Sequence, residues 1–147
     1  MPGYKQILVA VDLTDEAPQV IERAAELAKV YEAQLTIMHV IEPLTFAYGG
    51  DIPMDLSGIQ TEIESQAKAK VAAFAESLGV PAERQLIIYG RPENEIHRAA
   101  EQGGVDLIVL GSHGRHGLSL LLGSTANGVL HGAGCDVLAV RVQATEN

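Results

Sequence analysis

Leu107-Ile-Val-Leu110 runs directly into Gly111-Ser-His-Gly114-Arg-His-Gly117, and Gly123-Ser124-Thr125 follows shortly after. Four consecutive apolar residues closed by a glycine fit a strand buried on both faces. Glycines let a backbone approach a bulky group, and a Ser-Thr pair suits a helix start. The first amides of a helix are unpaired and carry partial positive charge. A buried strand that breaks into glycines and then meets a helix start is therefore an anion-binding arrangement, and it makes a nucleotide the first expectation for a ligand. A plain surface turn is the alternative for these glycines.

Outward from this stretch, strand and helix signals alternate. Ile7-Leu-Val-Ala-Val11, Leu35-Thr-Ile-Met-His-Val40, Leu86-Ile-Ile-Tyr89 and Val137-Leu-Ala-Val140 read as four further strands. A helix is expected from Thr14 or Asp15, either of which can cap it, to about Tyr31, with Pro18 in its first turn and Val20, Ala24, Leu27, Ala28 and Tyr31 on its apolar face. Pro43, Gly49, Gly50 and Pro53 mark Ile41–Gly58 as a long loop. Ile59, Ile63, Ala67, Val71, Phe74 and Leu78 mark one face of a long helix, stopped by Gly79 and Pro81. Pro92 opens another helix, with Ile96 and Ala99 facing inward, and Ser124 to about Gly132 forms a short one.

Alternation of apolar strands with helices implies an α/β fold with a parallel sheet covered on both faces. Right-handed crossovers favour a doubly wound, Rossmann-like, five-stranded sheet of order 3-2-1-4-5, and the whole chain, 1–147, reads as one domain. In that order strands one and four meet at the topological switch point, where ligands bind beyond the carboxyl ends of the strands. Asp12 ends the first strand and Gly111 the fourth, so the two strongest local signals converge on one crevice.

The formal net charge is −9, which argues against nucleic acid or an anionic membrane as the main partner. No Asp or Glu lies between Asp106 and Asp136, while that interval holds Arg115, His113, His116 and His131. Clearing carboxylates from the glycine segment leaves room for an anion. Cys135 is the sole cysteine, so no internal disulfide forms and a cytoplasmic setting is expected. The apolar run Ile7–Val11 is too short for a signal peptide, and no apolar stretch is long enough to span a membrane.

The Gly-x4-Gly-Lys-Ser/Thr motif is absent, and so is Gly-x-Gly-x-x-Gly after the first strand, where Val11-Asp-Leu-Thr-Asp15 stands. Neither a P-loop NTPase nor a dinucleotide dehydrogenase is supported. What remains resembles the universal stress protein family. The residues that carry the likeness are Ile7-Leu-Val-Ala-Val-Asp12, His39-Val40, Gly90-Arg-Pro-Glu, Gly111-Ser-His-Gly114-Arg-His-Gly-Leu, Gly123-Ser124-Thr125 and Cys135-Asp-Val-Leu, so it covers nearly the whole chain. The nucleotide-binding branch of that family carries Gly-x2-Gly-x9-Gly-Ser/Thr. Gly111, Gly114, Gly123 and Ser124 match it, but the interval Arg115–Leu122 is one residue shorter, which leaves the choice between ATP and AMP open.

By that resemblance, the backbone of Ala10, Val11, Asp12 and Val40 holds the adenine and ribose. Gly111, Ser112, His113 and Gly114 wrap the ribose and α-phosphate. Gly123, Ser124 and Thr125 present amides and hydroxyls to the outer phosphates of ATP, AMP or ADP. The Asp12 carboxylate suits an amino or hydroxyl donor, or else closes a strand-end turn. Arg115 offsets phosphate charge, or is an exposed loop arginine. Magnesium or manganese is expected only as a passenger on the phosphates. The resemblance also implies a homodimer through the last strand, whose open edge invites pairing.

His113, His116 and His131 supply too few ligands for a closed zinc site, so no protein-held metal is expected. His39 reads as a packed, hydrogen-bonded residue and Cys135 as a small buried apolar one. Efficient ATP hydrolysis needs a water-positioning group near the outer phosphate, and no acid lies in the glycine segment, so the chain is not expected to be an enzyme beyond slow turnover. The leading reading is a nucleotide-binding stress regulator acting on an unidentified protein partner. The alternatives are a scaffold of the same fold with an empty site, or a slow ATPase.

Overall fold

Apolar residues at consecutive rather than alternate positions need cover on both sides of a sheet, and the strands receive it. The structure, a computed structural model, describes residues 3–43, 57–112 and 124–142. The strands are β1 (Gln6–Ala10), β2 (Gln34–Ile41), β3 (Gln85–Tyr89), β4 (Leu107–Gly111) and β5 (Asp136–Val140). The helices are α1 (Ala17–Tyr31), α2 (Ser57–Leu78), α3 (Pro92–Gln102) and α4 (Ser124–Leu130), with a single 3-10 turn at Ala82–Arg84. All paired strands are parallel and their order is β3-β2-β1-β4-β5, as expected.

Alternate strand residues supply two cores. Ile7, Val9, Ile37 and Val109 pack against Val20, Ile21 and Ala24 of α1 and against Val71 and Ala75 of α2. Leu8, Met38 and Ile108 pack on the other face against Ile96 and Ala100 of α3 and against Ala126 and Val129 of α4. Leu8, Val9, Ile108 and Val109 are fully buried. Each such side chain contributes about 1.5–3 kcal/mol relative to exposure. The two strands that flank the switch point are therefore firmly held, as is β2, whose Ile37 and Met38 are equally buried.

Several local expectations need correction. Neither Thr14 nor Asp15 caps α1: Glu16 occupies the cap position in a helical conformation and makes no side-chain cap bond. The Thr14 hydroxyl donates instead to Asp12 Oδ1 at 2.8 Å. Tyr31 is 41% exposed rather than core, and its ring meets Tyr4 edge-on with centroids 5.2 Å apart. Of the stripe expected on α2 only Ala67 and Val71 are buried, Phe74 is partly covered, and Ile59, Ile63 and Leu78 are 48%, 37% and 38% exposed; Ala75, outside that stripe, is buried instead. The cause is length. A 22-residue helix spans about 33 Å, longer than the about 17 Å of β3 and the about 26 Å of β2 on which it packs, so the strands cannot cover its whole length. On α3, Ala100 is buried beside Ile96, and Ala99 is only partly covered. At the ends of the loop expected over Ile41–Gly58, Ile41 closes β2 and Ser57 and Gly58 open α2, while residues 44–56 lie outside the described residues.

Gly79 ends α2 as expected. Its φ of 71° is the left-handed conformation that glycine adopts without penalty, and the Val80 amide donates back to the Ala75 carbonyl at 2.9 Å.

Candidate functional site

A parallel sheet opens wherever two neighbouring strands stop pairing with each other and follow their outer neighbours. β1 and β4 do this. Their ladder ends at Val9 and Val109. Beyond it, the β1 side stays with β2, through Ala10 opposite Met38 and the Val11 amide donating to the Met38 carbonyl at 2.9 Å. The β4 side stays with β5, through Gly111 opposite Val140 and the Ser112 amide donating to the Val140 carbonyl at 2.8 Å. A crevice thus begins between Ala10 and Leu110, at the predicted switch point.

The turn that leaves β1 forms one wall. Asp12 is exposed, and its Oδ1 accepts from the Thr14 amide (3.1 Å) and hydroxyl (2.8 Å). The strand-end-turn reading of Asp12 is therefore correct for one of its oxygens. Among the described residues no hydrogen bond reaches Oδ2, so it keeps its capacity to accept. Leu13 sits at φ 61°, a left-handed conformation uncommon for a leucine. Beneath the turn, the buried His39 ring places Nδ1 2.7 Å from the Val11 carbonyl. Because a carbonyl only accepts, Nδ1 carries the proton and donates. His39 is thus the packed, hydrogen-bonded residue expected.

Of the remaining predicted site residues, Val40 is buried near the end of β2, and Gly111 closes β4. The Ser112 hydroxyl is buried without a hydrogen-bond partner among the described residues. A hydroxyl in that condition is costly unless a ligand or water completes it. Ser124 and Thr125 form the start of α4. His113, Gly114, Arg115 and Gly123 lie outside the described residues, as does His116. The structure therefore brings together Ala10, Val11, Asp12, Val40, Gly111 and Ser112 at one edge of the sheet.

Two contacts that the sequence did not announce hold α4 in place. His97 Nε2 donates to the Val129 carbonyl at 2.7 Å, tying α4 to α3. Gly128 lies so close to α3 that a Cβ there would stand 3.0 Å from Glu93 Cβ. Neither residue carries a periodic or motif signal; a glycine inside a seven-residue helix was the one available hint.

The acids that bracket the acid-free interval sit at the opposite edge of the sheet. Asp106 accepts from the amides of Lys5 (2.9 Å) and Gln6 (3.1 Å), and Asp136 accepts from the Tyr4 hydroxyl at 2.7 Å. Their charge is thereby spent on the amino ends of β1, β4 and β5, away from the crevice. Cys135 is half-buried, and burial, followed by the Asp136 and Asp106 carboxylates, pushes its thiol above the ordinary value. It is not a poised nucleophile. Among the described residues no three His, Cys, Asp or Glu side chains cluster as a metal site. His131, in the turn after α4, places Nδ1 2.8 Å from the Asn127 carbonyl of that helix. A separate depression of about 390 Å³ lies between α2 and β3, lined by Lys68, Val71, Gln85 and Ile87 among others. Lys68 is paired there with Glu64 at 2.7 Å, so the depression offers no uncommitted charge to a phosphate. Among the described residues no helix is long and apolar enough to cross a membrane.

Comparison with known proteins agrees with this architecture. A relative in Coxiella burnetii, universal stress protein A homolog 1, is 47% identical over 93% of this chain and 96% of its own length. The solved structure of hypothetical protein MJ0577 superposes with a TM-score of 0.81 at 25% identity, covering 98% of this chain and all of that one. A universal stress protein in complex with cAMP shares the fold, with a TM-score of 0.64 at 20% identity over 95% of this chain and 98% of that one. The profile of the universal stress protein family matches residues 3–141. The strand order, the crevice between β1 and β4 and these matches together place the chain in the universal stress protein family.

Proposed function

We propose that the chain is an adenine-nucleotide-binding regulator of the stress response, which takes ATP, AMP or ADP in the crevice between β1 and β4. The observation that carries this reading is the parting of those strands after Val9 and Val109, at the point where the sequence of β4 passes into an acid-free glycine segment. Ala10, Val11, Asp12 and Val40 line the base and ribose end. Gly111, Ser112, His113 and Gly114 follow the α-phosphate, and Gly123, Ser124 and Thr125 with Arg115 meet the outer phosphates. The buried, unpartnered Ser112 hydroxyl supports a ligand at this point. So does a family member solved with cAMP, an adenine nucleotide.

Magnesium or manganese rides on the phosphates rather than on protein ligands. The protein acts as a cytoplasmic homodimer through β5, whose outer edge lies at the end of the sheet. It signals to a protein partner and turns ATP over slowly or not at all.

Mass spectrometry of denatured protein purified from cells tests the reading, with adenine nucleotide the expected content. Calorimetry on stripped protein should give binding of ATP that Gly114→Val abolishes in a folded variant. Deleting the chain from Val137 onward should yield monomeric or unfolded protein. A folded Gly114→Val protein with unchanged ATP affinity refutes the site, and an intact folded dimer after the deletion refutes the interface.

A further inference from the structure

We propose that His39 is a positioning residue that sets base specificity, because its ring takes the Val11 carbonyl and so leaves the main-chain N–H and C=O of Val40 to the crevice. The inference rests on the nucleotide reading above and extends it to the choice of base.

The register makes the argument. Ala10 lies opposite Met38, so Val11 lies opposite His39. In a parallel ladder, Val11 should donate to Met38 and accept from the Val40 amide. The first bond is made, at 2.9 Å. The second is replaced: the acceptor belongs to His39 Nδ1 at 2.7 Å, and the β1–β2 ladder ends at Ala10–Met38. Main-chain groups of successive strand residues point to opposite sides. The Met38 carbonyl points to β1, while the Leu35 and Ile41 carbonyls point away from it, toward Arg84 Nε and the Gly90 amide. Val40, in step with Met38, therefore turns its N–H and C=O to the β1 side, past the point where β1 has left for its turn.

An N–H donor beside a C=O acceptor is complementary to adenine, whose Watson–Crick edge offers the N6 amino donor and the N1 acceptor. Guanine presents the reverse, an O6 acceptor and an N1–H donor. With the Val40 amide committed to Val11, adenine keeps a single bond and its advantage over guanine shrinks. The histidine ring is thus worth more to recognition than to stability, since an ordinary ladder bond would replace what it makes.

His39→Leu removes the donor, and His39→Asn retains one near the position of Nδ1. The measurement is residue-resolved amide exchange on the full chain, with calorimetry using ATP and GTP. In the parent protein and in His39→Asn, the Val40 amide should exchange much faster than that of Met38. In His39→Leu it should become as protected as Met38, with the Leu8 amide unchanged as a check on folding. ATP affinity should fall about tenfold in His39→Leu, the loss of one hydrogen bond, and its margin over GTP should narrow; His39→Asn should restore both. A Val40 amide that is slow in the parent protein, or equal in all three proteins, overturns the proposal. So does unchanged ATP-over-GTP preference in a folded His39→Leu. If no protein binds ATP yet the Val40 amide responds as described, the nucleotide reading fails while the role of His39 in freeing Val40 stands.

Discussion

Asp12 is the residue at which turn geometry and ligand binding separate most cleanly. Its Oδ1 accepts two bonds from Thr14, and its Oδ2 has no hydrogen-bond partner among the described residues. Replacing it with alanine breaks the turn bonds, but both groups are exposed and water replaces the lost acceptor. The expected stability cost is about 0.5–1.5 kcal/mol, the net value of an ordinary hydrogen bond. Loss of a charged acceptor from a ligand hydroxyl or amino group costs about 1.5–3 kcal/mol, which is about 10- to 150-fold in affinity. Thr14→Ala is the control, since it removes the hydroxyl donor and keeps the amide that closes the turn. Calorimetry with ATP, alongside urea unfolding, should show Asp12→Ala losing affinity far out of proportion to stability and Thr14→Ala losing little of either. Tighter ATP binding by Asp12→Ala would refute the reasoning, because it would mean that the carboxylate faces the phosphates and repels them. Unchanged affinity would refute it equally.

Ile108→Ala, at a fully buried position of β4, should cost about 2–5 kcal/mol in urea unfolding, against less than about 0.5 kcal/mol for an exposed position such as Val30→Ala. Cys135 should react with iodoacetamide more slowly than a free thiol near neutral pH. Its ionisation is raised by burial, so the thiolate fraction there is below that of an ordinary cysteine; a faster rate would contradict its surroundings. Tyr4 is held above its ordinary value of 10.0, first by donating a hydrogen bond to Asp136. A raised group stabilises the fold fully below its unfolded value, and that stabilisation fades as pH rises through the folded value. Tyr4→Phe should therefore lower the melting temperature at pH 8 and narrow the difference from the parent protein above pH 10.

The strands and their order were legible because burial on two faces writes itself as short, continuous apolar runs, and Ile7–Val11 and Leu107–Leu110 leave little choice. The crevice followed from topology alone. What was not legible depends on lengths and contacts between distant segments. Ile59 and Ile63 have helical spacing, but nothing in the spacing says that the helix is longer than the strands it packs on. Thr14 looks like a helix cap until Asp12 claims its hydroxyl. α1 stops without a glycine, at Glu32 with φ 54°, a conformation that the sequence around it does not advertise. The bond from His39 to Val11 joins two strands 28 residues apart, so it appears only once the register is known. At the site, the β1 half was readable as a strand followed by an acid, whereas the arrangement of Gly111–Thr125 rests on motif spacing, and its centre lies outside the described residues.

Backbone amide chemical shifts of isotope-labelled, nucleotide-free protein titrated with ATP test the central claim most directly. The account predicts saturable shifts at Ala10, Asp12, Val40, Gly111 and Ser112, with Lys5, Asp106 and Asp136 at the far edge of the sheet unmoved. Shifts confined to the far edge, or none at millimolar ATP, would contradict it.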